Sequence, residues 1–300
     1  METSNKSLDR VRLGVSPLSW TNDVLHDLGD EVPLEQCLRE ASEIGYEGVE
    51  LGRKFPRDPK VLRPKLSEFG LVLAAGWYSG YLAERSLEEE WEAAADHIAL
   101  LKGCGTSILV YGEIGKIPGN GDLNLPLSQS PQLKSIDLPD YARKVEAFSE
   151  RLKEQGLVFA YHHHLMMLVE KADEIAAFCD ATEDSVGLLL DTGHATAAGA
   201  DYAEIIRKFG SRIVHIHLKD VRRNVLKRIL ETDASFNSGV REGYFTVPGD
   251  GDVDFSELGK FVRNSGYRGW VVVEAEQDPA KATPKVYAEK AYRFTKDLIF

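Results

Sequence analysis

The chain contains 300 residues, of which 43% are hydrophobic, and it carries a formal net charge of −12. This size and composition suffice for one large buried core, and barrels of alternating strands and helices often reach this length as one domain. An acidic surface repels nucleic-acid phosphates, so nucleic acid is not expected as a partner. The three cysteines lack CxxC spacing, which argues against a disulfide framework or a thiolate metal site.

The first ten residues, METSNKSLDR, are polar and lack the apolar segment of a signal peptide. No apolar run in the sequence reaches the length of a membrane span. We therefore expect a cytoplasmic protein without a membrane partner, with residues 1–10 as a polar tail and residues 11–300 as a single domain. The sequence leaves the oligomeric state open, and a homo-oligomer is compatible with it.

Short apolar segments alternate with longer amphipathic segments, a pattern typical of repeated strand–helix units and a parallel sheet. The predicted strands are Arg12–Ser16, Gly48–Leu51, Leu71–Gly76, Ser107–Tyr111, Leu157–His162, Val186–Asp191, Ile213–His217 and Trp270–Glu274. The predicted helices are Pro33–Ile44, Pro59–Phe69, Leu87–Leu101, Pro139–Glu154, Ala172–Cys179, Tyr202–Phe209, Phe255–Val262 and Pro284–Leu298. This count predicts an α/β fold, a (β/α)₈ TIM barrel. The doubly wound open sheet is the alternative, but no strand ends in a GxGxxG phosphate motif.

Two connections are much longer than is usual between a strand and a helix. They are Gly112–Leu138 and Asp220–Asp254, and each follows a predicted strand. Because the segments that follow the strands lie on the catalytic face of a barrel, we predict that both are lids or interface loops on that face.

Four successive predicted strands end in side chains that can bind a metal: His162, Asp191, His217 and Glu274. The carboxyl ends of barrel strands converge at one mouth, so these side chains are expected to lie close together. Two imidazoles and two carboxylates suit a divalent ion such as Mn²⁺, Co²⁺, Fe²⁺ or Zn²⁺. His164 lies on the same side of its strand as His162 and is the alternative ligand there.

Other side chains are placed near the same mouth by the predicted strand ends. Glu50 nearly ends the second strand, and Lys219 lies two residues beyond His217 and points the same way. We consider both as catalytic groups, because a charge inside a barrel is costly unless it is paired or functional. The candidate substrate-binding residues are Trp20, Lys54, Trp77, Glu113, His164 and Arg222. Surface ion pairs for the two lysines and core packing for the two tryptophans are the alternatives.

Several motifs resemble those of a known group of barrels. DTGH at 191–194, HxHxKD at 215–220 and VVEAEQDP at 272–279 are similar to the xylose-isomerase-like superfamily, which includes sugar isomerases, epimerases and endonuclease IV enzymes. A closer resemblance, to the inosose dehydratases, extends over nearly the whole chain. It is carried by YHHH at 161–164, LLLDTGHA at 188–195 and FTVPGDGDVDF at 245–255.

The resemblance implies a dehydratase that converts 2-keto-myo-inositol (scyllo-inosose) to a trihydroxycyclohexanedione and water, with Mn²⁺ or Co²⁺. It implies the four metal ligands given above, although most isomerase relatives have Glu where this chain has His162. It also matches His194 to a position that contacts a substrate oxygen in isomerase relatives, so His194 joins Lys219 and Glu50 as a candidate catalytic residue. Glutathione is associated with the family, but the sequence itself indicates no glutathione site.

Loss of water β to a ketone requires a base for the α-proton and an acid for the departing hydroxyl group. Lys219, Glu50 and His194 are the candidates for these roles, without assignment among them. A metal-dependent ketose isomerase or 3-epimerase is the alternative function, because it uses similar metal-assisted chemistry on a small polyol ketone. A sugar-binding barrel without catalytic activity is the alternative from a different class.

The chain departs from the family pattern directly after the fifth strand. Relatives have Gly-Thr where this chain has Met166 and Met167. If these thioethers line the pocket, we expect a smaller or deoxygenated analogue to fit better than scyllo-inosose. Their alternative role is core packing. Arg53 likewise stands where relatives tend to have Gly or Asn.

Overall fold

The computed structural model describes residues 9–300, so most of the predicted polar tail lies outside the described residues. Eight parallel strands form a closed barrel in chain order, and the last strand closes on the first. The barrel strands are β1 Val11–Val15, β2 Gly48–Leu51, β3 Val72–Gly80, β4 Ile108–Glu113, β5 Val158–His162, β6 Gly187–Asp191, β7 Ile213–Leu218 and β10 Gly269–Val273. A separate antiparallel pair is formed by β8 Asp220–Val221 and β9 Phe245–Thr246. The predicted TIM barrel is confirmed.

The helices pack around the barrel or lie within its long connections. They are α1 Leu34–Ile44, α2 Pro59–Glu68, α3 Leu87–Cys104, α4 Pro118–Gly121, α5 Leu138–Glu154, α6 Ala172–Ala181, α7 Thr192–Ala197, α8 Tyr202–Phe209, α9 Arg223–Glu231, α10 Phe236–Glu242, α11 Ser256–Asn264 and α12 Pro284–Ile299. Local sequence sets several starts. For example, the hydroxyl of Ser86 accepts from the backbone N–H of Glu89, and the Glu89 carboxylate accepts from the N–H of Ser86, which forms a capping box at α3.

Alternation along the strands separates the helix-facing core from the barrel interior. In β10, Val271 and Val273 pack in the large core between strands and helices, whereas Trp270 and Val272 form a small separate cluster. The next residue on the interior side is Glu274, because successive side chains point to opposite faces of a strand. The same alternation in the neighbouring strands brings polar side chains to the interior at the carboxyl end of the barrel.

The structure corrects the prediction for the segment after the seventh strand. Residues 220–254 are not a long loop, because they contain the β8–β9 pair and the helices α9 and α10. In α9 the buried residues Val225, Leu226 and Ile229 recur at helical spacing, which indicates an amphipathic helix. The segment 112–138 contains one short helix, α4, and two single turns of 3₁₀ helix.

Candidate metal centre and active site

The carboxyl ends of four barrel strands bring together the predicted metal ligands: His162, Asp191, His217 and Glu274. One donor atom from each lies within 4.8 Å of the others. Nε2 of His162 and Nδ1 of His217 each lie 3.6 Å from Oδ2 of Asp191. Nδ1 of His217 lies 3.4 Å from Oε2 of Glu274. Such separations suit neighbouring ligands around one divalent ion with bonds of about 2.1 Å.

Two atoms of this cluster support its assignment as a metal site. Oδ2 of Asp191 and Nδ1 of His217 are buried, and neither has a hydrogen-bond partner. An unsatisfied buried polar atom costs about 1–3 kcal/mol, and a cation between the two atoms would satisfy both. The donor set of imidazoles and carboxylates therefore fits a divalent metal ion.

Hydrogen bonds behind the ligands determine which imidazole nitrogen faces the centre. Nδ1 of His162 lies 2.6 Å from the backbone oxygen of His163, and Nε2 of His217 lies 3.0 Å from Oε1 of Glu50. Because both oxygens can only accept, each of these two nitrogens carries a hydrogen. The opposite nitrogens are then free to bind a metal.

Glu50, a candidate catalytic residue, has a positioning role in this geometry. Its Oε1 also lies 2.8 Å from Nε2 of His215, so one carboxylate oxygen accepts hydrogen bonds from two imidazoles. Burial raises the pKa of a carboxyl group, but the two imidazoles outweigh burial and hold the pKa of Glu50 below its usual range. Glu50 therefore orients His217, although it also borders the cavity described below.

Lys219, the other strand-derived catalytic candidate, is completely buried. Its Nζ lies 2.6 Å from Oε1 of Glu274, 2.8 Å from Oε1 of Glu276 and 2.8 Å from Nε2 of His194. Burial lowers the pKa of a lysine, but Asp191 and the two glutamates outweigh it and raise the pKa of Lys219. Lys219 is not among the cavity-lining residues. This geometry is that of a fixed internal cation, and a catalytic role for Lys219 as acid or base stays a prediction.

A second polar cluster lies beside the first and contains His164, His194 and Glu276. The rings of His164 and His194 pack with centroids 3.6 Å apart, and Nε2 of His194 lies 3.4 Å from Oε1 of Glu276. His194 is buried and does not line the cavity, whereas the other two residues do. Glu276 was not identified from the sequence. The signal was its position two residues after Glu274, which corresponds to the same side of an extended chain.

The two clusters border a cavity of about 210 Å³ at the carboxyl end of the barrel. Its polar lining includes Ser16, Asn22, Asp23, Glu50, Trp77, Ser79, His162, His164, His217, Glu274 and Glu276. Its apolar lining includes Leu18, Val24, Leu51, Val110, Ile114, Ile117, Leu123, Met167 and Phe236. Of the predicted substrate-binding residues, Trp77 and His164 therefore reach the cavity.

The structure places two other predicted substrate-binding residues elsewhere. Nε1 of Trp20 donates to Oε2 of Glu40 at 2.6 Å, and the ring is completely buried. The ammonium group of Lys54 donates to backbone oxygens in the connection between β1 and α1: those of Gly29, Asp30 and Val32. Their polar groups are engaged in these contacts and neither residue lines the cavity, so this geometry favours structural roles, and substrate binding by either residue stays a prediction.

Glu113 and Arg222 are likewise engaged in contacts within the protein, and substrate binding by either residue also stays a prediction. The Glu113 carboxylate is buried and accepts hydrogen bonds from Tyr111 Oη at 2.9 Å and from the backbone nitrogens of Ala83 and Gly115. The guanidinium of Arg222 donates to the segment around β9: the Gly243 oxygen, Thr246 Oγ1 and Asp250 Oδ2. Neither side chain lines the cavity.

The two methionines after β5 have different positions. Both lie in one buried cluster with residues of the segment 220–254, but only Met167 also lines the cavity, whereas Met166 is completely buried. Met166 has φ = 69°, in the left-handed region that favours glycine. This conformation explains why a glycine is suited to the position in the family pattern. The expectation that thioethers line the pocket is therefore supported for Met167 alone.

Three segments at the mouth are joined to one another over the cavity. Asn237 of α10 donates from Nδ2 to Oδ1 of Asn124 and from its backbone nitrogen to the oxygen of Leu123. Arg241 of the same helix makes two hydrogen bonds of 2.7 Å to Asp27 in the connection after β1. We call the segment 220–254 the lid, because Phe236 at the start of α10 lines the cavity.

A closed eight-stranded barrel with imidazoles and carboxylates at the carboxyl ends of its strands defines a (β/α)₈ barrel with a candidate metal centre. The chain belongs to the xylose isomerase-like TIM barrel family, whose model matches residues 38–298. No helix within residues 9–300 combines the length and the apolar composition required to cross a membrane.

Several relatives align with nearly the whole chain. The rhizopine catabolism protein MocC of Rhizobium meliloti is 42% identical over 95% of this chain and 88% of its own length. Inosose dehydratase 2 of Bacillus cereus is 39% identical over 96% of this chain and 97% of its own. The inosose dehydratase of Geobacillus thermodenitrificans is 38% identical over the same shares, 96% and 97%. The resemblance noted in the sequence is confirmed.

Solved structures share the fold at lower identity. The IOLI protein with a bound zinc atom has a TM-score of 0.69 and 17% identity, over 96% of this chain and 98% of that chain. The probable 3-DHS dehydratase AsbF of Bacillus anthracis has a TM-score of 0.69 and 13% identity, over 95% of this chain and 98% of that chain. At these identities the likeness shows the fold alone.

Proposed function

We propose that this protein is an inosose dehydratase that removes water from scyllo-inosose in inositol catabolism. The observation that carries the proposal is the match to inosose dehydratases at 36–39% identity over about 96% of the chain. The site supports it, because a dehydration of this kind needs a polarised ketone and several polar groups around a small enclosed cavity.

In the proposed centre, four side chains would hold a divalent ion: His162, Asp191, His217 and Glu274. When bound, the ion supplies Lewis-acid polarisation of the substrate ketone, which is worth several kcal/mol. The mixed imidazole and carboxylate set suits Mn²⁺ or Co²⁺, which we propose as the cofactors. Glu50 would hold His217 in the orientation that presents Nδ1.

The other candidate catalytic residues support the groups that face the substrate. Lys219 holds the two glutamates after β10 with a buried positive charge, and His194 packs against the ring of His164. Phe236 of the lid borders the cavity, and any displacement of water by the lid on substrate binding would strengthen the electrostatic interactions there. We therefore assign positioning roles to Lys219, His194 and Glu50.

The test is product analysis with the purified protein loaded with Mn²⁺ or Co²⁺. We expect scyllo-inosose to lose one water, observed by NMR and by the ultraviolet absorbance of the dione. Formation of an epimer or aldose without water loss would favour the isomerase alternative and would contradict the proposal. Metal-free protein is the control and should give no product.

The identity of 42% to MocC supports a second candidate, a step in rhizopine catabolism. The same assay with rhizopine in place of scyllo-inosose distinguishes the two. Conversion of rhizopine without conversion of scyllo-inosose would favour the second candidate.

A further inference from the structure

Glu276 presents one carboxylate oxygen to the cavity while the other is held from behind. Its contacts with Lys219 Nζ at 2.8 Å and with His194 Nε2 at 3.4 Å are both made by Oε1. The side chain lines the cavity and is 8% exposed. Oε2 is therefore the oxygen available to a ligand, and the buried lysine fixes its position.

His164 presents a second acceptor to the same space. Its Nδ1 lies 2.6 Å from the backbone oxygen of Leu165. Because a carbonyl oxygen can only accept, Nδ1 carries the hydrogen of the neutral ring and Nε2 carries a lone pair. The ring packs between His194 and Phe236, with centroid distances of 3.6 and 5.5 Å, so its direction is fixed.

Two neighbouring acceptors require a ligand that supplies two hydrogens. The donor atoms of this cluster lie within 4.8 Å of one another. A second metal ion or an ammonium group would also match two acceptors, but Lys219 and a divalent ion at the first centre already balance the three carboxylates of Asp191, Glu274 and Glu276. Neutral hydroxyl groups are therefore the favoured donors.

We propose that His164 and Glu276 form a subsite that binds two neighbouring hydroxyl groups of the substrate ring, a vicinal diol, beside the metal centre. The proposal deepens the proposed function and depends on it for the identity of the ring. It assigns to Glu276 a direct contact with the substrate. It assigns to Lys219 the role of holding Glu276 in place.

The test is calorimetric titration of Mn²⁺-loaded protein with scyllo-inositol, which has the hydroxyl groups of the proposed substrate but no ketone. Glu276→Gln keeps the size of the side chain but removes its charge, and we expect it to weaken binding about 10- to 100-fold, as for loss of a hydrogen bond to a charged group. Glu90→Gln is the matched control, since Glu90 is a buried carboxylate that does not line the cavity. Its binding of scyllo-inositol should equal that of the wild type.

A deoxy analogue of scyllo-inositol completes the test on the ligand side. Wild-type protein should bind it more weakly than the hexol, and Glu276→Gln should bind the two about equally, because the partner of the missing hydroxyl is already lost. If Glu276→Gln does not fold, Glu276→Asp and the comparison of ligands on wild-type protein provide the result.

Three results would overturn the proposed diol subsite. The first is unchanged affinity for scyllo-inositol in a folded Glu276→Gln or Glu276→Asp variant, and the second is no binding of scyllo-inositol by the Mn²⁺-loaded wild type. The third is the detection of two Mn²⁺ ions per chain by metal analysis. Failure of the proposed function gives a different result. In that case scyllo-inosose is not dehydrated, while scyllo-inositol still binds through Glu276.

Discussion

Lys219 is a lysine with no exposed surface, held between two carboxylates and an imidazole. Its position two residues after His217 indicated that the side chain points toward the barrel interior. The sequence did not indicate that the side chain is completely buried. The carboxylates of Glu274 and Glu276 lie on the cavity side of its ammonium group, and this arrangement explains why Lys219 does not reach the ligand space.

Removal of this internal cation should mainly affect stability. We expect Lys219→Met to lower the free energy of unfolding of the metal-free protein by about 3–5 kcal/mol, since buried carboxylates lose their partner. Urea denaturation measures the change. Lys227→Met is the control, because Lys227 is exposed in a surface ion pair and should change stability by less than about 1 kcal/mol. Equal stability of the two variants would contradict this account.

Substitution of the two methionines after β5 distinguishes an effect on the shape of the cavity, expected for Met167, from an effect on core packing, expected for Met166. Met167→Thr should enlarge the cavity and raise kcat/KM for scyllo-inosose by roughly 10-fold, as for a methylene-scale change in a pocket. Met166→Gly should leave kcat/KM unimproved and lower stability. Relief of the left-handed backbone gains about 1 kcal/mol, but loss of a buried methionine side chain costs about 2–5 kcal/mol. Steady-state kinetics and thermal unfolding measure both, and an improvement from Met166→Gly alone would contradict the assignment.

Glu113 predicts how the free energy of unfolding depends on pH. Burial raises its pKa from 4.5 to about 7, although hydrogen bonds from Gly115, Tyr111 and Ala83 oppose the change. Between these values the folded protein keeps a proton that the unfolded chain has lost, so this residue makes stability fall as pH rises from 4.5 to 7. The loss is roughly 3 kcal/mol by linkage. Glu113→Gln should flatten the dependence of unfolding free energy on pH across this window, and an unchanged slope would show that Glu113 does not titrate there.

Four site residues were predictable because each lies at or next to the end of a strand. His162 and Asp191 are the last residues of β5 and β6, and Glu274 directly follows β10. Glu276 was not identified because it lies beyond the strand in an irregular segment, where alternation is a weak guide. Trp20 and Lys54 were expected at the mouth of the barrel but do not line the cavity. A position near a strand end does not show whether the side chain turns toward the cavity or toward a neighbouring loop.

The lid is the element in which sequence and structure differ most. The barrel strands were predicted within a few residues, since each is a short apolar run between polar segments. In residues 220–254 the helices α9 and α10 are short, and their apolar faces cover the mouth of the barrel instead of the strands. Local pattern does not specify that docking, because the surface it requires is built from distant parts of the chain.

Asp220 organises the second half of the lid. Its Oδ2 accepts from the backbone nitrogens of Gly249 and Gly251 at 3.0 and 2.9 Å, and its Oδ1 accepts from that of Val253 at 2.9 Å. We expect Asp220→Ala to increase hydrogen exchange in residues 245–255 and to lower kcat/KM, because three backbone donors lose their acceptor. Glu231→Gln, an exposed change on α9, is the control. Unchanged exchange in Asp220→Ala would show that other contacts hold the segment.

At the scale of the whole molecule, the proposed metal centre takes its ligands from the ends of four neighbouring barrel strands, β5, β6, β7 and β10. A ligand that binds only the folded state stabilises it, by about 2.7 kcal/mol at a concentration 100 times the Kd. We expect Mn²⁺ or Co²⁺ to raise the Tm of the wild type, and Asp191→Asn to abolish both the bound metal and the increase. Elemental analysis and thermal unfolding measure these, with Asp180→Asn as an exposed control. An equal increase in Asp191→Asn would place the metal elsewhere.

The pairing of β10 with β1 has a consequence for folding during synthesis on the ribosome. Residues 11–15 pair with residues 269–273, so the first described strand has no neighbour on that edge until the last strand has been synthesised. His162, Asp191 and His217 emerge earlier, while Glu274 emerges with the closing strand. Throughout translation the growing chain therefore holds an incomplete set of metal ligands at an open sheet edge. A nascent barrel cannot acquire its full complement of ligands before it has protected that edge from other chains.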